Sequence, residues 1–462
     1  MPRTTTFDRS VTIKLGLIGL IVLVLLIPAL MIADVIYDRA QLADEARSDI
    51  MHSWGRNQTL TGPILLVPWQ RTVYGPDRKP AIVSGTLAHM PTRASVVLEV
   101  NNEVRYRGLY TVPVYTARAG LDADFDPIDL SALGLPDAEL MFDRARIAVG
   151  LSDLRTLREA PVLHANNEAA SFGPGVFQDA TGLRMIDVAA SALGLDPARQ
   201  TFTVQTELDF AGTDQLDVVP VGDNQRVSMT AQWPDPSFTG QYLPGQRTVS
   251  ESGFDASWAV TSLGRGFGST LMDTGGLVHT LHTASLGVTF KPRLNTYDRA
   301  RRAVRYAALA IALTFACFFL FDVLGALGLH AVQYLLIGCA NCLFFLLLIS
   351  LAEHVGFATA YGLSSVASIS LIAGYSAAVL GAAWRAGLCA LALGATYGFI
   401  YMTLGAQTYA LLAGSLGLWG VLAGVMYLTR HVDWRSTMAG PAQDGAGTVH
   451  RSADGLATSQ RV

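Results

Sequence analysis

Apolar and polar positions divide this 462-residue chain into unequal parts. Residues 13–33 form an apolar run in which Lys14, at its edge, is the one charge. A long stretch of mixed polarity follows, and five more apolar runs crowd the last third, near 304–324, 331–352, 357–380, 386–405 and 408–429. An α-helix needs about 20 apolar residues to cross the hydrocarbon of a bilayer. Backbone polar groups must be bonded internally there, so such runs are helices. The pattern predicts an α-helical polytopic membrane protein of six spans, one plus five, with a domain of residues 34–303 inserted between spans 1 and 2.

Within that domain the period changes. The first helix is expected to continue through 41–54, which hold helix formers and mixed charge. From Thr61 onward, runs rich in Val, Thr, Tyr and Phe recur between turn residues, at 95–100, 105–115, 146–151, 201–210, 225–232 and 281–290. Partial alternation at such intervals predicts the strands of a mostly-β (α+β) domain. Gly62-Pro63 and Pro68 bracket 64–67 as a short strand, and 151–158 reads as a helical turn or two. Roughly 270 residues suffice for a substantial core. The tail after Ser436 is rich in Gly, Ala, Ser and Thr and reads as disordered.

Charge sets the expected orientation. Arg3, Arg9 and Lys14 precede or open the first run, while Asp34, Asp38, Asp44 and Glu45 follow it. The positive-inside rule places residues 1–12 in the cytoplasm. A cleaved signal peptide would have an apolar core of about 7–15 residues and small residues before the cut. This core is longer, and Met31 stands three before a cut after Ala33, so an uncleaved anchor is expected. The inserted domain is then periplasmic in a Gram-negative bacterium, and residues 430–462 return to the cytoplasm. Arg385, Arg430 and Arg435 fit that side. Arg299, Arg301, Arg302 and Arg305 run against it, although long loops cross largely regardless of charge.

Composition agrees with a bilayer partner: 51% of residues are hydrophobic and 15% charged. A net charge of −4, with no basic stripe interleaved with aromatics, excludes a general nucleic-acid binder. Cys317, Cys339, Cys342 and Cys389 all lie in apolar runs, so the inserted domain has neither disulfides nor zinc-type spacing. Cys339 and Cys342 read as small packing residues. Gly394-x-x-x-Gly398 and Gly420-x-x-x-Gly424 allow close helix approach, and Ser364, Ser365 and Ser368 make a small polar face. A packed bundle without a pore accounts for these features.

Ionisable residues in or beside spans are functional candidates by default. Asp322, His330 and Arg385 are expected at the inner side, Glu353 and His354 at the outer. His330 and Glu353, 23 residues apart on one helix, are separated by roughly 34 Å and cannot form one site. A proton relay would need intermediate polar steps, for which Asn341 and Ser350 are available. Helix caps and helix-end partners stand ahead of an ion path. In the inserted domain, Trp233, Pro234, Asp235, Pro236 and Phe238 form a rigid turn, read either as a packed β-corner or as a partner-contact segment. Asp122, Asp124 and Asp126 lack the Gly and Glu of a calcium loop and read as a solvated turn. No Gly-x-Ser-x-Gly, P-loop or His-Glu-x-x-His sequence is present, so nothing points to an enzyme, a metal or a cofactor.

Several segments resemble the CreD family of bacterial inner-membrane proteins. Trp54-Gly55, Gln58, Gly62-Pro63 and Pro68 are similar to the family's segment after its first span. Trp233-Pro-x-Pro-x-Phe238-x-Gly240, Leu243-Pro244, Gly253-Phe254, Ala256 and Trp258 resemble its central motif. His330-x-x-Gln333-Tyr334-Leu335, Ser350-x-x-Glu353-His354-x-Gly356-Phe357 and Tyr361 are the clearest match, followed by Tyr409-Ala-Leu-Leu through Tyr427 and Arg430 to Asp433-Trp434. Together these run in order from about 34 to 435. The resemblance implies a six-span inner-membrane protein with a large periplasmic domain, associated with envelope integrity, colicin tolerance and β-lactam response, and without an assigned catalytic activity. One departure is that Gln407-Thr408 stands where the family pattern has a Glu-Asp pair, which weakens an acidic ion path. The expected function is a non-enzymatic envelope protein acting on a periplasmic or envelope protein partner. The rival is a transporter or an ion or proton pathway through the five-helix bundle. The oligomeric state is left open.

Overall fold

The computed structural model describes residues 6–74, 80–128, 138–178, 184–271, 284–290, 296–325, 329–405 and 410–430. Two compact units emerge, one of Met1–Asp38 with Thr296–Val462 and one of Arg39–Asn295. Their long helices are α1 (Thr6–Trp54), α2 (Thr296–Arg305), α3 (Ala307–Gly325), α4 (Ala331–Val355), α5 (Phe357–Val379), α6 (Ala383–Gly405) and α7 (Ala410–Thr429). Helix α1 does continue to Trp54, as its helix formers require.

Four helical stretches among the described residues are long and apolar enough to cross a bilayer: Lys14–Trp54, Ala331–Val355, Phe357–Val379 and Ala383–Gly405. The α2–α3 pair, bent by 43°, makes a fifth if taken as one span. Helix α7 carries a shorter apolar segment, Gly414–Gly424. Helix α1 runs antiparallel to α2–α3. Lys14 meets Asp322 at one end, and the Arg301 guanidinium lies 5.1 Å from the Tyr37 ring centroid at the other. Between them Leu25 packs so tightly on α4 that a Cβ at Gly338 would collide with it.

The second unit is a β-sandwich. Its strands are β1 (Gln58–Tyr74), β2 (Pro80–His89), β3 (Arg93–Arg107), β4 (Tyr110–Phe125), β5 (Glu139–Leu140), β6 (Arg146–Leu151), β7 (Val162–Ala165), β8 (Glu168–Ser171) and β9 (Gly173–Gln178). They continue as β10 (Arg184–Ala189), β11 (Phe202–Thr213), β12 (Gln215–Val219), β13 (Asn224–Ala231), β14 (Ser237–Gly240), β15 (Gln246–Ser250), β16 (Gly253–Thr261), β17 (Thr270–Leu271) and β18 (Leu286–Thr289). One sheet has the order β14-β18-β12-β1-β6-β10-β9, with β2 and β5 also paired to β1 and β17 to β2. The other runs β15-β16-β13-β3-β4-β11-β7-β8. Strands alternate as a half-buried sheet requires: Val96, Leu98 and Val100 of β3 enter the core while Val97 and Glu99 face out. The main core joins Leu121, Phe210, Met229 and Trp258 of the second sheet to Leu60, Leu151, Leu216 and Val288 of the first.

Three expectations change. Residues 105–115 are not one strand but the turn of the β3–β4 hairpin, where Arg107 pairs with Tyr110. Residues 64–67 belong to the 17-residue β1. Pro63 falls where the β1–β6 register shifts between Thr61 and Ile64, the bulge setting in which a strand tolerates proline. Asp122 and Asp124 lie on β4 rather than in a turn, their side chains on its outer face, where Arg93 Nε and Thr203 Oγ1 bond Asp124 at 3.0 and 2.7 Å. Of the expected strand 281–290, residues 286–289 form β18, and 281–283 lie outside the described residues. The turn expected in 151–158 is the 3-10 turn Leu154–Thr156.

Candidate functional site

The helical unit sorts its polar groups into two ends and a centre. At one end, Asp322 is 4% exposed and bonds Lys14 Nζ at 3.1 Å and the Leu329 N–H at 2.9 Å. Its neighbour His330 is the N-cap of α4, taking the Val332 N–H while Gln333 Oε1 takes the His330 N–H at 2.9 Å. Trp384 packs edge-on against Phe321 at 6.3 Å, so Arg385 belongs to this end too; its Nη1 donates to Leu380 O at 3.2 Å. At the opposite end Tyr297 Oη donates to Glu353 Oε1 at 3.3 Å. The exposed His354 donates through Nδ1 to Ser350 O at 3.0 Å. Arg299 stacks on Phe357 at 5.6 Å.

The centre holds a buried knot where α4, α5 and α6 meet. Asn341 is fully buried and accepts a bond from Tyr397 Oη at 3.0 Å. Tyr361 Oη donates to Tyr397 O at 2.7 Å, and Phe344 stacks on Tyr397 at 4.2 Å. Ser364 and Ser368 are buried nearby on α5, and the Ser364 hydroxyl has no partner among the described residues. Between this knot and Glu353 the buried face of α4 is apolar, with Phe345, Leu348, Ile349 and Ala352. Each interhelical bond here contributes on the order of 1 kcal/mol. The arrangement fixes helix register; it does not form a continuous ionisable chain along α4.

In the β unit the motif residues turn out to be joints. Gln58, fully buried, donates to Thr156 Oγ1 and Ala211 O at 3.0 and 2.9 Å and accepts the Asp153 N–H at 3.1 Å. Gly55, at φ +137°, leaves no room for a Cβ against Thr156 and Ala211. Trp54 Nε1 donates to Tyr115 O at 3.3 Å, with Arg105 over its ring at 4.4 Å. Arg47 pairs with Asp214, and Arg107 with Asp49 at 2.8 Å. The end of α1 is thus clamped to the sandwich.

Trp233, Pro234, Asp235, Pro236 and Phe238 form a packed corner. Trp233 meets Phe290 edge-on at 6.2 Å and bonds Asp235 O at 2.9 Å; Phe238 packs on Phe254 and Trp258 at 5.6 and 6.0 Å. Both large aromatics of this segment are directed into the core.

A buried cluster near β2 had no signal in spacing. The Arg265 guanidinium, fully buried, pairs with Asp223 at 2.7 Å and also bonds Val221 O and Phe267 O. Ser269 Oγ donates to Asp223 at 2.7 Å. His89 bonds Thr270 Oγ1 at 3.0 Å and Asp126 O at 3.1 Å, and burial holds its pKa below the ordinary value despite the nearby carboxylates of Asp223 and Asp126. These bonds strap 262–271 over an apolar patch of Ile64, Leu66, Met90 and Val221, which Phe267 and Leu271 cover.

The outer face of the second sheet is polar and grooved. Cavities of about 440, 540 and 520 Å³ lie along it, lined among others by Gln205 and Glu207, by Ser95 and Arg226, and by Glu99 and Thr230. Strand alternation alone marks which residues belong to this face. By contrast, neither the Lys14–Asp322 pair, 308 residues apart, nor the Asn341–Tyr397 bond had any sequence signal. Gln407-Thr408 lies outside the described residues.

The profile of the family described as inner membrane protein CreD matches residues 10–435. The inner membrane protein CreD of Escherichia coli (strain K12) is 35% identical over 421 residues, 89% of this chain and 91% of that protein. Among solved structures, an M1 zinc metallopeptidase mutant from Deinococcus radiodurans aligns over 77% of this chain and 93% of its own at 12% identity, with a TM-score of 0.21.

Proposed function

The chain belongs to the CreD family of inner membrane proteins, and from that premise we propose that it is a multi-pass, non-enzymatic envelope protein whose β-sandwich works in the periplasm on an envelope protein partner. In this reading the apolar helices make six spans, α2–α3 and α7 included, with both termini cytoplasmic. Envelope integrity and stress response, in the form of colicin tolerance and altered β-lactam response, are the expected phenotypes. The observation that carries the proposal is the open polar face of the second sheet. Its grooves give a protein surface something to recognise, while the motif residues of the sandwich are spent on joints and corners.

The arginines that oppose this orientation have a structural role of their own. Arg299 and Arg301 run against the positive-inside rule, yet each is engaged on an aromatic ring, Phe357 and Tyr37. A cation held on a ring is worth about 0.5–2 kcal/mol to the fold, which gives these arginines a reason to be there apart from topology. Cysteine reporters at 120, 354, 385 and 450 in a Cys-less chain test the orientation. Labelling from outside at 120 and 354 alone is expected; labelling at 385 instead would remove the six-span arrangement. Photo-crosslinkers at Glu99, Glu207 and Arg226 in cells test the partner. A recurrent envelope protein is expected, and a clean monomer under varied envelope stress would sink the reading.

An ion or proton pathway is the second reading, favoured by the buried Asn341–Tyr397 centre and by the Ser364 hydroxyl, which has no partner among the described residues. It requires Glu353→Gln or His354→Ala to abolish function in a protein that still inserts. Wild-type behaviour of both variants removes it.

A further inference from the structure

Helices α3 and α6 bring two thiols into contact. Cys317 Sγ and Cys389 Sγ are 3.8 Å apart, although 72 residues of chain separate them. The polar groups around them are already engaged: Thr314 Oγ1 donates to Ala310 O at 2.7 Å and Thr396 Oγ1 to Ala392 O at 2.8 Å. Each sulfur therefore has the other as its polar neighbour. A small cavity of about 10 Å³ adjoins the pair, lined by Thr314, Cys317, Phe318, Cys389, Leu393 and Thr396. That is about the space of one water by the same measure, so the thiols are not sealed in solid packing. Their exposures differ, Cys317 being partly exposed and Cys389 2% exposed.

We propose that Cys317 and Cys389 are a dithiol–disulfide redox pair whose oxidation staples α3 to α6, with a membrane-permeant peroxide as the oxidant. A disulfide is about 2.05 Å long, so each sulfur has to travel about 0.9 Å. Cys317, the more accessible sulfur, attacks one peroxide oxygen. The O–O bond breaks, giving a sulfenic acid on Cys317 and one water. Cys389 Sγ then attacks the Cys317 sulfur, forming the S–S bond, and the departing oxygen leaves as a second water with the remaining proton. Two thiols lose two electrons and the peroxide gains them. A sulfenic acid with a second thiol in contact condenses to a disulfide instead of oxidising further. Cys339 and Cys342, three apart on α4, provide an internal control, since Cys342 Sγ is directed to Leu25 O at 3.8 Å instead.

Membranes containing the full-length chain are treated with graded hydrogen peroxide. Free thiols are blocked with N-ethylmaleimide, and peptides are mapped with and without reduction. Cys317 and Cys389 are expected to lose labelling together, at least tenfold at saturation, with a Cys317–Cys389 linked peptide. Neither Cys339 nor Cys342 is expected in a linked peptide, although the exposed Cys339 can lose labelling by itself. Cys389→Ser is expected to abolish the linked peptide and leave a dimedone-reactive sulfenic acid on Cys317. Copper phenanthroline, applied separately, asks whether the two sulfurs can meet at all. The proposal is overturned if neither oxidant links the pair. It is equally overturned if copper links it but peroxide leaves both thiols labelled or carries Cys317 to sulfinic acid unlinked.

Discussion

Removing the carboxylate charge at Asp217 is expected to stabilise the β-sandwich at neutral pH. Asp217 sits on β12 opposite Gly287 of β18, where any Cβ would collide with its carboxylate. Gln215 Nε2 donates to Oδ2 at 2.7 Å, and Oδ1 has no partner among the described residues. Burial pushes the pKa from 3.8 up to about 6, with the Gln215 bond opposing. Below about pH 4 both the folded and the unfolded chain hold the proton. Between about pH 4 and 6 only the folded chain holds it, so stability falls as pH rises through that window. By pH 7 the loss is complete. The rise from 3.8 to about 6 corresponds to about 3 kcal/mol, and partial solvent access lowers the expectation to about 1–3 kcal/mol. Asp217→Asn keeps an acceptor for Gln215 and removes the charge. At roughly 2–4 °C per kcal/mol for a domain of this size, the melting temperature should rise by about 2–12 °C at pH 7.5 and by about a third as much at pH 4.5. Tryptophan fluorescence of the detergent-solubilised chain on heating reports it, through Trp54, Trp69, Trp233 and Trp258. A variant no more stable than the parent at pH 7.5, or equally stabilised at both pH values, would refute the reasoning.

Gln58→Ala removes three buried hydrogen bonds and should cost about 2–4 kcal/mol, read as a lower urea midpoint of the sandwich; a shift within error would mean that the clamp below α1 is not strained by its loss. Gly338→Ala forces Leu25 off α4 and should destabilise the helical unit by about 1–3 kcal/mol. Leu25→Ala in the same chain should recover part of that, a sign of coupling in a double-mutant cycle, whereas simple additivity would count against the contact. Lys14→Ala leaves the Asp322 carboxylate buried without its cation, a loss of about 3–5 kcal/mol. The double change Lys14→Ala with Asp322→Asn should melt higher in detergent than Lys14→Ala alone.

Hydrophobic runs were legible because crossing a bilayer demands a length that soluble elements seldom need. Helices α4, α5 and α6 fall within a few residues of the runs at 331–352, 357–380 and 386–405, and β6 covers 146–151 as expected. Strands β2, β10 and β16 of the sandwich carry no clear signal in the sequence; β10 reads Arg-Met-Ile-Asp-Val-Ala, with Asp187 buried on Arg146, so its polar residue breaks the apolar pattern. The hairpin at 105–115 escapes the sequence pattern because Arg107-Gly108-Leu109 turns too sharply to show in composition. Of the candidate site residues, His330 resolved into a helix cap and Trp233 and Phe238 into core contacts. Asp322 gained a partner that no local pattern could announce, because an ion pair between α1 and α3 depends on tertiary packing alone.

The antiparallel seam between α1 and α2–α3 also imposes an order of events during synthesis. Lys14 and Asp322 are 308 residues apart, and at about 5–20 residues per second translation takes about 15–60 s to cover that distance. Through that interval α1 must stay in place without the carboxylate, the Gly338 notch or the arginine that later line it, while the whole sandwich is made and folded. Its long apolar run and its basic edge have to hold it unaided, and the helix receives its neighbours only after the β domain is complete.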